Sequence, residues 1–286
     1  MNNNMDSSFC HSGLNGDLQY ISALSEKAKP NTEFEVHTHY NEFEIYYFLE
    51  GDLFFAFDGK RIMVEPGTMI IIANCMLHKP IIKSPCRYYR KRILFNKKIF
   101  TRINTTDFEL YNSIRKRKIL VFGAKEVEAL KLNELFDEIG AYLEAGTAHN
   151  EFCALISLFS LLIKAEKNTV KHLENKMCVY SNKAVDIIQF IDEHLAEDLN
   201  YTTIAKMFYI SEKNLYKFFK KETGFTLSNY INERRIIKAQ SELNAGNSAT
   251  EAAAIAGFKD YSVFYRSFLR KVGITPTEYI KNIDKL

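Results

Sequence analysis

The 286 residues contain no tryptophan, only five prolines and twelve glycines, and five cysteines. So little Gly and Pro excludes a collagen-like or low-complexity disordered chain. The cysteines fall at 10, 75, 86, 153 and 178, an odd and scattered set without a C-x-x-C pair. That pattern argues against a disulfide framework and reads as reduced thiols filling apolar space. Cys75 and His78 form a C-x-x-H, but two candidate ligands fall short of the about four that a structural zinc needs. No run approaches the about 18 uninterrupted apolar residues of a membrane span. The opening MNNNMDSSFCHSG lacks both a basic n-region and an apolar h-region. The expected compartment is therefore cytoplasmic, with no membrane partner.

A large net charge is missing too: 38 basic against 35 acidic residues leave +3. The distribution is more telling than the total. Residues 1–80 sum to −6, 81–120 to +10, 121–200 to −7 and 201–286 to +6. At about 150 residues per domain, the length suggests two domains.

The hydrophobic period changes along the chain. From about Phe34 to Phe95 it is strand-like, rich in Ile, Val, Phe and Tyr. Leu53–Phe57 and Arg61–Val64 flank Asp58-Gly59, a strong hairpin signal because a type I′ turn needs φ > 0 at both centres. Glu65-Pro66-Gly67 is a second turn before the apolar run Thr68–Ala73. Short strands at this spacing predict a β-sandwich or small barrel. After Phe100 the period is helical, with helices expected at Lys125–Glu144 and Glu151–Ala165. The polar stretch 167–181 is the expected linker, dividing domains 1–166 and 182–286. Beyond it seven helices are expected: Ala184–Leu195, Thr202–Phe208, Ser211–Thr223, Leu227–Leu243, Thr250–Ala256, Asp260–Val272 and Thr275–Ile283. Gly224, Ala245-Gly246-Asn247, Gly257 and Gly273 serve as stops.

The helical segment repeats itself. A shift of 49 places Ser211 on Asp260, Leu215 on Phe264, Tyr216 on Tyr265, Lys217 on Arg266, Phe219 on Phe268 and Gly224 on Gly273. Each unit is a short helix, a tight turn, an N-capped helix and a glycine stop, with Ala205 or Ala253 allowing close contact just before the turn. Leu215, Phe218 and Phe219 are expected inside, leaving Lys213, Asn214, Tyr216 and Lys217 outside. In the second unit Phe264 and Phe268 go in, leaving Tyr261, Ser262, Tyr265, Arg266 and Arg270. Basic, amide and hydroxyl groups on such a helix suit a major groove: Lys and Arg meet guanine, Asn meets adenine. Lys220, Lys221 and Arg270 are expected on phosphates, so double-stranded DNA is the expected partner.

These residues resemble the AraC/XylS family of bacterial transcription regulators, over about Ala184 to Ile280. The signature is Gly257-Phe258-x-Asp260-x-Ser262-x-Phe264-x-Arg266-x-Phe268, then Gly273-x-Thr275-Pro276-x-x-Tyr279. Ser211-x-x-x-Leu215-x-x-x-Phe219-Lys220-Lys221-x-x-Gly224 matches the first unit, and Arg234 and Ala239 fit the connecting helix. The resemblance implies a seven-helix domain with two recognition helices in consecutive major grooves. Lys213, Tyr216, Lys217, Ser262, Tyr265 and Arg266 inherit the base-facing role. The chain departs from the family at Val263, Leu269 and Ala252-Ala253.

The N-terminal half resembles the cupin barrel that many members carry, through His37-x-His39-x4-Glu44-x6-Gly51, Pro66-Gly67 and His78. His37 and His39 are two apart on a strand and point the same way. The set His37, His39, Glu44 and His78 is read as polar groups of an effector pocket. Hydrogen-bonded structural residues and a metal centre are the alternatives, and no cofactor or metal is expected. The expected architecture is thus α+β and multidomain: a cupin-like β-barrel with two following helices, then an all-α double helix-turn-helix domain. The expected function is a DNA-binding transcription regulator, an activator and not an enzyme, controlled by a sugar, fatty acid or small organic acid. A homodimer formed by the two post-barrel helices and contact with RNA polymerase are further expectations of the resemblance. The alternatives are a metal-dependent cupin enzyme with a helical appendage, or a constitutive DNA binder whose barrel only dimerises. Arg87, Arg90, Lys91, Arg92, Lys97 and Lys98 are read as a solvent-facing strand and loop, with an anion-binding surface as the second reading. Arg115–Lys118 is read as an exposed loop or strand start.

Overall fold

The computed structural model describes residues 7–30, 38–57, 60–102, 109–168, 177–179, 182–223 and 225–283. His37, the Asp58-Gly59 turn, Gly224 and most of the 167–181 stretch lie outside them. The chain divides into two compact units, Met1–Cys178 and Val179–Leu286.

The first unit is built on two antiparallel sheets. Its strands are β1 (Ser7–Gly13), β2 (Leu18–Ala28), β3 (Glu42–Glu50), β4 (Leu53–Phe57), β5 (Lys60–Val64), β6 (Met69–Ile72), β7 (His78–Ile82), β8 (Cys86–Asn96), β9 (Ile119–Phe122) and β10 (Met177–Val179). The larger sheet runs β1-β2-β8-β3-β6-β9 and the smaller β10-β5-β4-β7. The expected hairpin forms, with Leu53 opposite Val64 and Phe57 opposite Lys60.

The large sheet is buried on both faces. One face, with Tyr46, Phe48, Ile70, Ile72 and Tyr88, meets Leu53, Phe55, Phe57 and Ile62 of the small sheet. The other, with Phe43, Ile45, Ile71, Ile93 and Phe95, is covered by helices. This explains the unbroken apolar run of β6, where all four residues Met-Ile-Ile-Ile are buried. Those helices are α1 (Ile99–Arg102), α2 (Glu109–Arg117), α3 (Ala124–Ala129), α4 (Leu132–Ala145) and α5 (Ala148–Lys167), the last capped by the Thr147 hydroxyl.

Several expectations are corrected here. Strands begin at Ser7, not near Phe34; β1 is an edge strand whose first four residues are exposed, so it shows no burial alternation. The segment after Phe100 is not purely helical, because β9 returns to pair with β6. Arg115–Lys118 is neither loop nor strand start: Arg115–Arg117 form the last turn of α2, and Lys118 makes the left-handed link to β9. The helix expected at Lys125–Glu144 is two helices. Lys131 sits at φ +55, and the Leu130 carbonyl freed by the break accepts a 3.1 Å hydrogen bond from Lys164 Nζ on α5. A membrane-spanning length does exist in the chain, since α5 has 20 residues at mean hydropathy 1.2. Its Ala154, Leu155, Leu158, Leu161, Leu162 and Ala165 pack into the core against the sheet and α4.

The second unit carries α6 (Asn182–Glu193), α7 (Tyr201–Met207), α8 (Glu212–Thr223), α9 (Leu227–Asn244), α10 (Ala249–Ile255), α11 (Tyr261–Val272) and α12 (Pro276–Ile283). The seven expected helices are present. Side-chain oxygens of Asn200, Ser211, Thr226, Ser248, Asp260 and Thr275 each accept the N–H three residues on, satisfying a first-turn donor of α7 through α12. Both α8 and α11 pack against α9, which at about 1.5 Å per residue is about 27 Å long.

Candidate nucleic-acid interface and barrel site

Each helix-turn-helix turn is closed by the same backbone bonds. Ile210 N–H donates to Ala205 O, and Phe258 N–H donates to Ala253 O, both at 3.0 Å. These bonds align Tyr209 with Gly257, a shift of 48, whereas helices α8 and α11 align at 49. The second turn is therefore one residue longer. Both aligned residues are left-handed, with φ +52 at Tyr209 and +91 at Gly257.

Beyond the turns the two helices present matching faces. In α8, Leu215 and Phe219 are fully buried, while Lys213, Asn214, Tyr216, Lys217, Lys220 and Lys221 are exposed. In α11, Phe264 and Phe268 are fully buried, while Tyr261, Ser262, Arg266 and Arg270 are exposed. Two expectations shift: Phe218 is half-buried rather than inside, and Tyr265 half-buried rather than fully outside. An α-helix turns about 100° per residue, so positions 218 and 265 fall at the edge between core and solvent.

Ion pairs and hydrogen bonds tie together the helices behind these faces. Arg234 on α9 makes a two-pronged bond to Asp192 on α6, at 2.8 and 2.7 Å. Its neighbour Arg235 donates to the carbonyls of Leu195 (3.0 Å) and Glu197 (2.8 Å), pinning the α6–α7 connection. Lys271 on α11 pairs with the buried Glu233 on α9. The family departures have modest consequences: Val263 and Leu269 are exposed, and Ala252 and Ala253 are small residues fully covered in α10.

The barrel unit gathers a second group of polar side chains. Glu44 on β3 is buried, and its Oε2 lies 2.9 Å from His39 Nε2 and 3.0 Å from His78 Nε2. His78 Nδ1–H donates to Met76 O at 2.9 Å, which fixes the ring, and Phe55 stacks on its face. Burial opposes charge on His39, but hydrogen bonds to Glu42 and Glu44 outweigh it and hold its pKa at about 9. The donor atoms of His39, Glu44 and His78 all lie within 4.8 Å of one another, a spacing that could hold a divalent cation. Cys75 is not in this group; its Sγ lies 3.6 Å from Tyr40 O.

His39 supplies a pH-dependent part of the stability. A free histidine titrates near 6.5, so its raised folded value stabilises the protein below about 6.5, and that contribution is lost as pH rises through about 9. His39→Gln is expected to lower stability by on the order of 2 kcal/mol at about pH 6 and by far less at about pH 10. Urea titrations at the two pH values check this; an equal loss at both would refute it.

The basic block at 81–120 resolves into distinct fates. Arg87 bridges Glu26 (3.2 Å) and Glu50 (3.0 Å) at the surface, and Lys91 pairs with Asp137 on α4 at 2.8 Å. The reading of Arg90 and Arg92 as solvent-facing is wrong. Alternation along β8 turns Tyr88, Arg90 and Arg92 to the inner face, opposite Phe48 and Tyr46 of β3. The period-2 run Tyr88-x-Arg90-x-Arg92 carried that signal, obscured by the charged residues between.

The sequence profile of a helix-turn-helix domain matches residues 204–282, and that of a cupin domain matches 25–90. The two profiles fall on the paired helical units and on the sheets just described. The chain carries a cupin domain followed by an AraC-type helix-turn-helix domain. Among curated relatives, the HTH-type transcriptional activator RhaS of Enterobacter sp. (strain 638) is 29% identical over 125 residues, 43% of this chain and 44% of that protein. RhaS of Escherichia fergusonii is 30% identical over 130 residues, 45% and 46% of the two chains. The matches span less than half the length of either relative. Among solved structures, the DNA-binding domain of AdpA in complex with a target DNA is 24% identical, covering 35% of this chain and 92% of that one, with a TM-score of 0.34. ToxT from Vibrio cholerae strain SCE256 with a bound unsaturated fatty acid is 13% identical, covering 98% and 97%, with a TM-score of 0.36. Within the helix-turn-helix domain, Gly257 is the residue of the AraC/XylS-like signature with the clearest structural demand. A Cβ there would lie 2.0 Å from Leu195 O.

Proposed function

We propose that this protein is a sequence-specific DNA-binding transcription regulator controlled by a small effector held in its barrel. The observation that carries the reading is the pair of N-capped helix faces that coincide at a shift of 49, with Lys213 on Ser262, Tyr216 on Tyr265 and Lys217 on Arg266. Lys213, Asn214, Tyr216 and Lys217 in α8, with Tyr261, Ser262, Tyr265 and Arg266 in α11, are the proposed base-facing set. Lys220, Lys221 and Arg270 are the proposed phosphate contacts. The proposed role carries a cytoplasmic location with it, the RhaS relatives, named transcriptional activators, favour activation, and contact with RNA polymerase is its proposed route. Genome-wide mapping of binding sites tests the reading directly. A short shared motif recovered at discrete promoters supports it; uniform occupancy set only by ionic strength refutes it.

His39, Glu44 and His78 are proposed to line the effector site, with His37 outside the described residues. An effector shifts the regulator only by binding one arrangement more tightly than another. The spacing of the same three residues also admits a metal-dependent cupin enzyme. Stoichiometric Fe, Mn or Zn in purified protein, lost on His39→Ala with His78→Ala, favours that enzyme over the effector reading.

Helix α5 carries the proposed dimer face. Phe152, Ile156 and Ile163 are 60%, 50% and 42% exposed on one side of the helix, where isolated apolar residues would be unremarkable but an aligned stripe is not. A two-fold dimer covers the stripe with its own copy. Phe152→Glu with Ile156→Glu is expected to give a monomer in analytical ultracentrifugation with little change in Tm. A wild-type monomer at the same concentration refutes the proposal.

A further inference from the structure

We infer that the ligand of the barrel is an organic acid whose carboxylate is taken by Arg92, with Arg90 beside it. The inference rests on the reading that the barrel holds an effector and names that effector's chemistry. On the inner face of the large sheet, Arg92 lies opposite Tyr46 and Arg90 opposite Phe48 in the β3–β8 register. Arg90 is 5% exposed and stacks its guanidinium 4.7 Å over the Tyr88 ring. The Arg92 side chain is 17% exposed, and its Nε is buried without a hydrogen-bond partner among the described residues. Its carboxylate neighbour Glu44 stands 3.8 Å away through Oε1, beyond hydrogen-bonding distance, while Oε2 serves both histidines.

A guanidinium offers donors only, in a planar fork that matches two carboxylate oxygens. Leaving such a donor buried and unmet costs free energy that a carboxylate would recover. A sugar hydroxyl, one donor and acceptor at a time, matches it less well. On this face Arg92 stands nearest Glu44, whose neighbour Glu42 is turned to His39, and Tyr46, Phe48, Phe55 and Tyr88 form a cluster of buried rings. Tyr46 and Tyr88 bond to each other through their hydroxyls at 2.8 Å, so the polar atoms of both rings are satisfied and leave the arginine as the polar group in need of a partner. An arginine fork beside buried aromatic rings favours an organic acid over inorganic phosphate.

Thermal unfolding of the full chain against matched acids and amides tests the inference: benzoate with benzamide, octanoate with octanamide, succinate with succinamide. Rhamnose, arabinose and inorganic phosphate complete the set. At least one acid is expected to raise Tm by about 3 °C or more at millimolar concentration while its amide does not. Arg92→Gln is expected to abolish the shift and Arg92→Lys to retain part of it, since lysine keeps the charge without the fork. Shifts from amide and acid alike, from sugars or phosphate alone, from no compound, or undiminished in Arg92→Gln would each overturn the inference. Binding to the mapped genomic fragments, read on the same preparations, separates its failure from failure of the DNA-binding reading.

Discussion

Alanine at Lys217 and Arg266 together is expected to remove most sequence preference from DNA binding. The two residues occupy the same position in the repeated units, one helical turn beyond the N-cap-proximal residues, and both are exposed. Loss of one base-reading cation costs about 1–3 kcal/mol, or about 5- to 150-fold in specific affinity. Two independent units should give nearly additive losses, because the residues sit on separate recognition helices. Alanine at Lys220 and Lys221 should behave differently. It weakens binding to specific and random duplexes alike and lowers the salt slope by about 1 for each phosphate no longer neutralised. Footprinting and salt titration of both double variants decide the matter. A Lys217/Arg266 double variant that still protects its operator with wild-type affinity would sink the assignment of these helices as readers.

The second large effect concerns the backbone. Gly257→Ala is expected to destabilise the C-terminal unit by on the order of 3–5 kcal/mol, a large share of a typical domain's roughly 5–15 kcal/mol. A Cβ at 257 meets Leu195 O at 2.0 Å and Ala196 Cα at 2.9 Å, both main-chain atoms. The connection cannot simply move away, because Arg235 holds the Leu195 and Glu197 carbonyls. Gly246→Ala is the control: its φ of +92 is nearly the same, yet nothing lies within 4 Å of the added Cβ. It should cost only about 1 kcal/mol of backbone strain. Denaturant titration followed by far-UV circular dichroism compares them; equal losses would show that backbone strain, not steric overlap, is the cause. Tyr209 supports overlap as the cause, since the first turn tolerates a 96% exposed tyrosine at the aligned left-handed position.

The helical half was largely legible because its information is local. N-caps, glycine stops and a 49-residue repeat act within one or two helical turns, and the hydrophobic period names the buried face. Even there, the extra residue in the second turn was hidden, since a single shift of 49 aligns the recognition helices and misaligns the turns. The barrel was less legible. β1 lacked a burial pattern, the α3–α4 break at Lys131 depends on Lys164 of another helix, and the charges of β8 masked its alternation.

By itself the sequence determined the two-part organisation, the repeated helical units and the AraC-type resemblance, and it corrected the meaning of an almost neutral +3 total. Only the tertiary structure decided which members of the basic block meet solvent. Arg87 and Lys91 find acidic partners, while Arg90 and Arg92 turn inward, Arg90 over the Tyr88 ring and Arg92 beside Glu44. The reason is physical. Side-chain direction on a strand follows from local alternation, but which face is enclosed depends on the second sheet, built from residues far away in the chain.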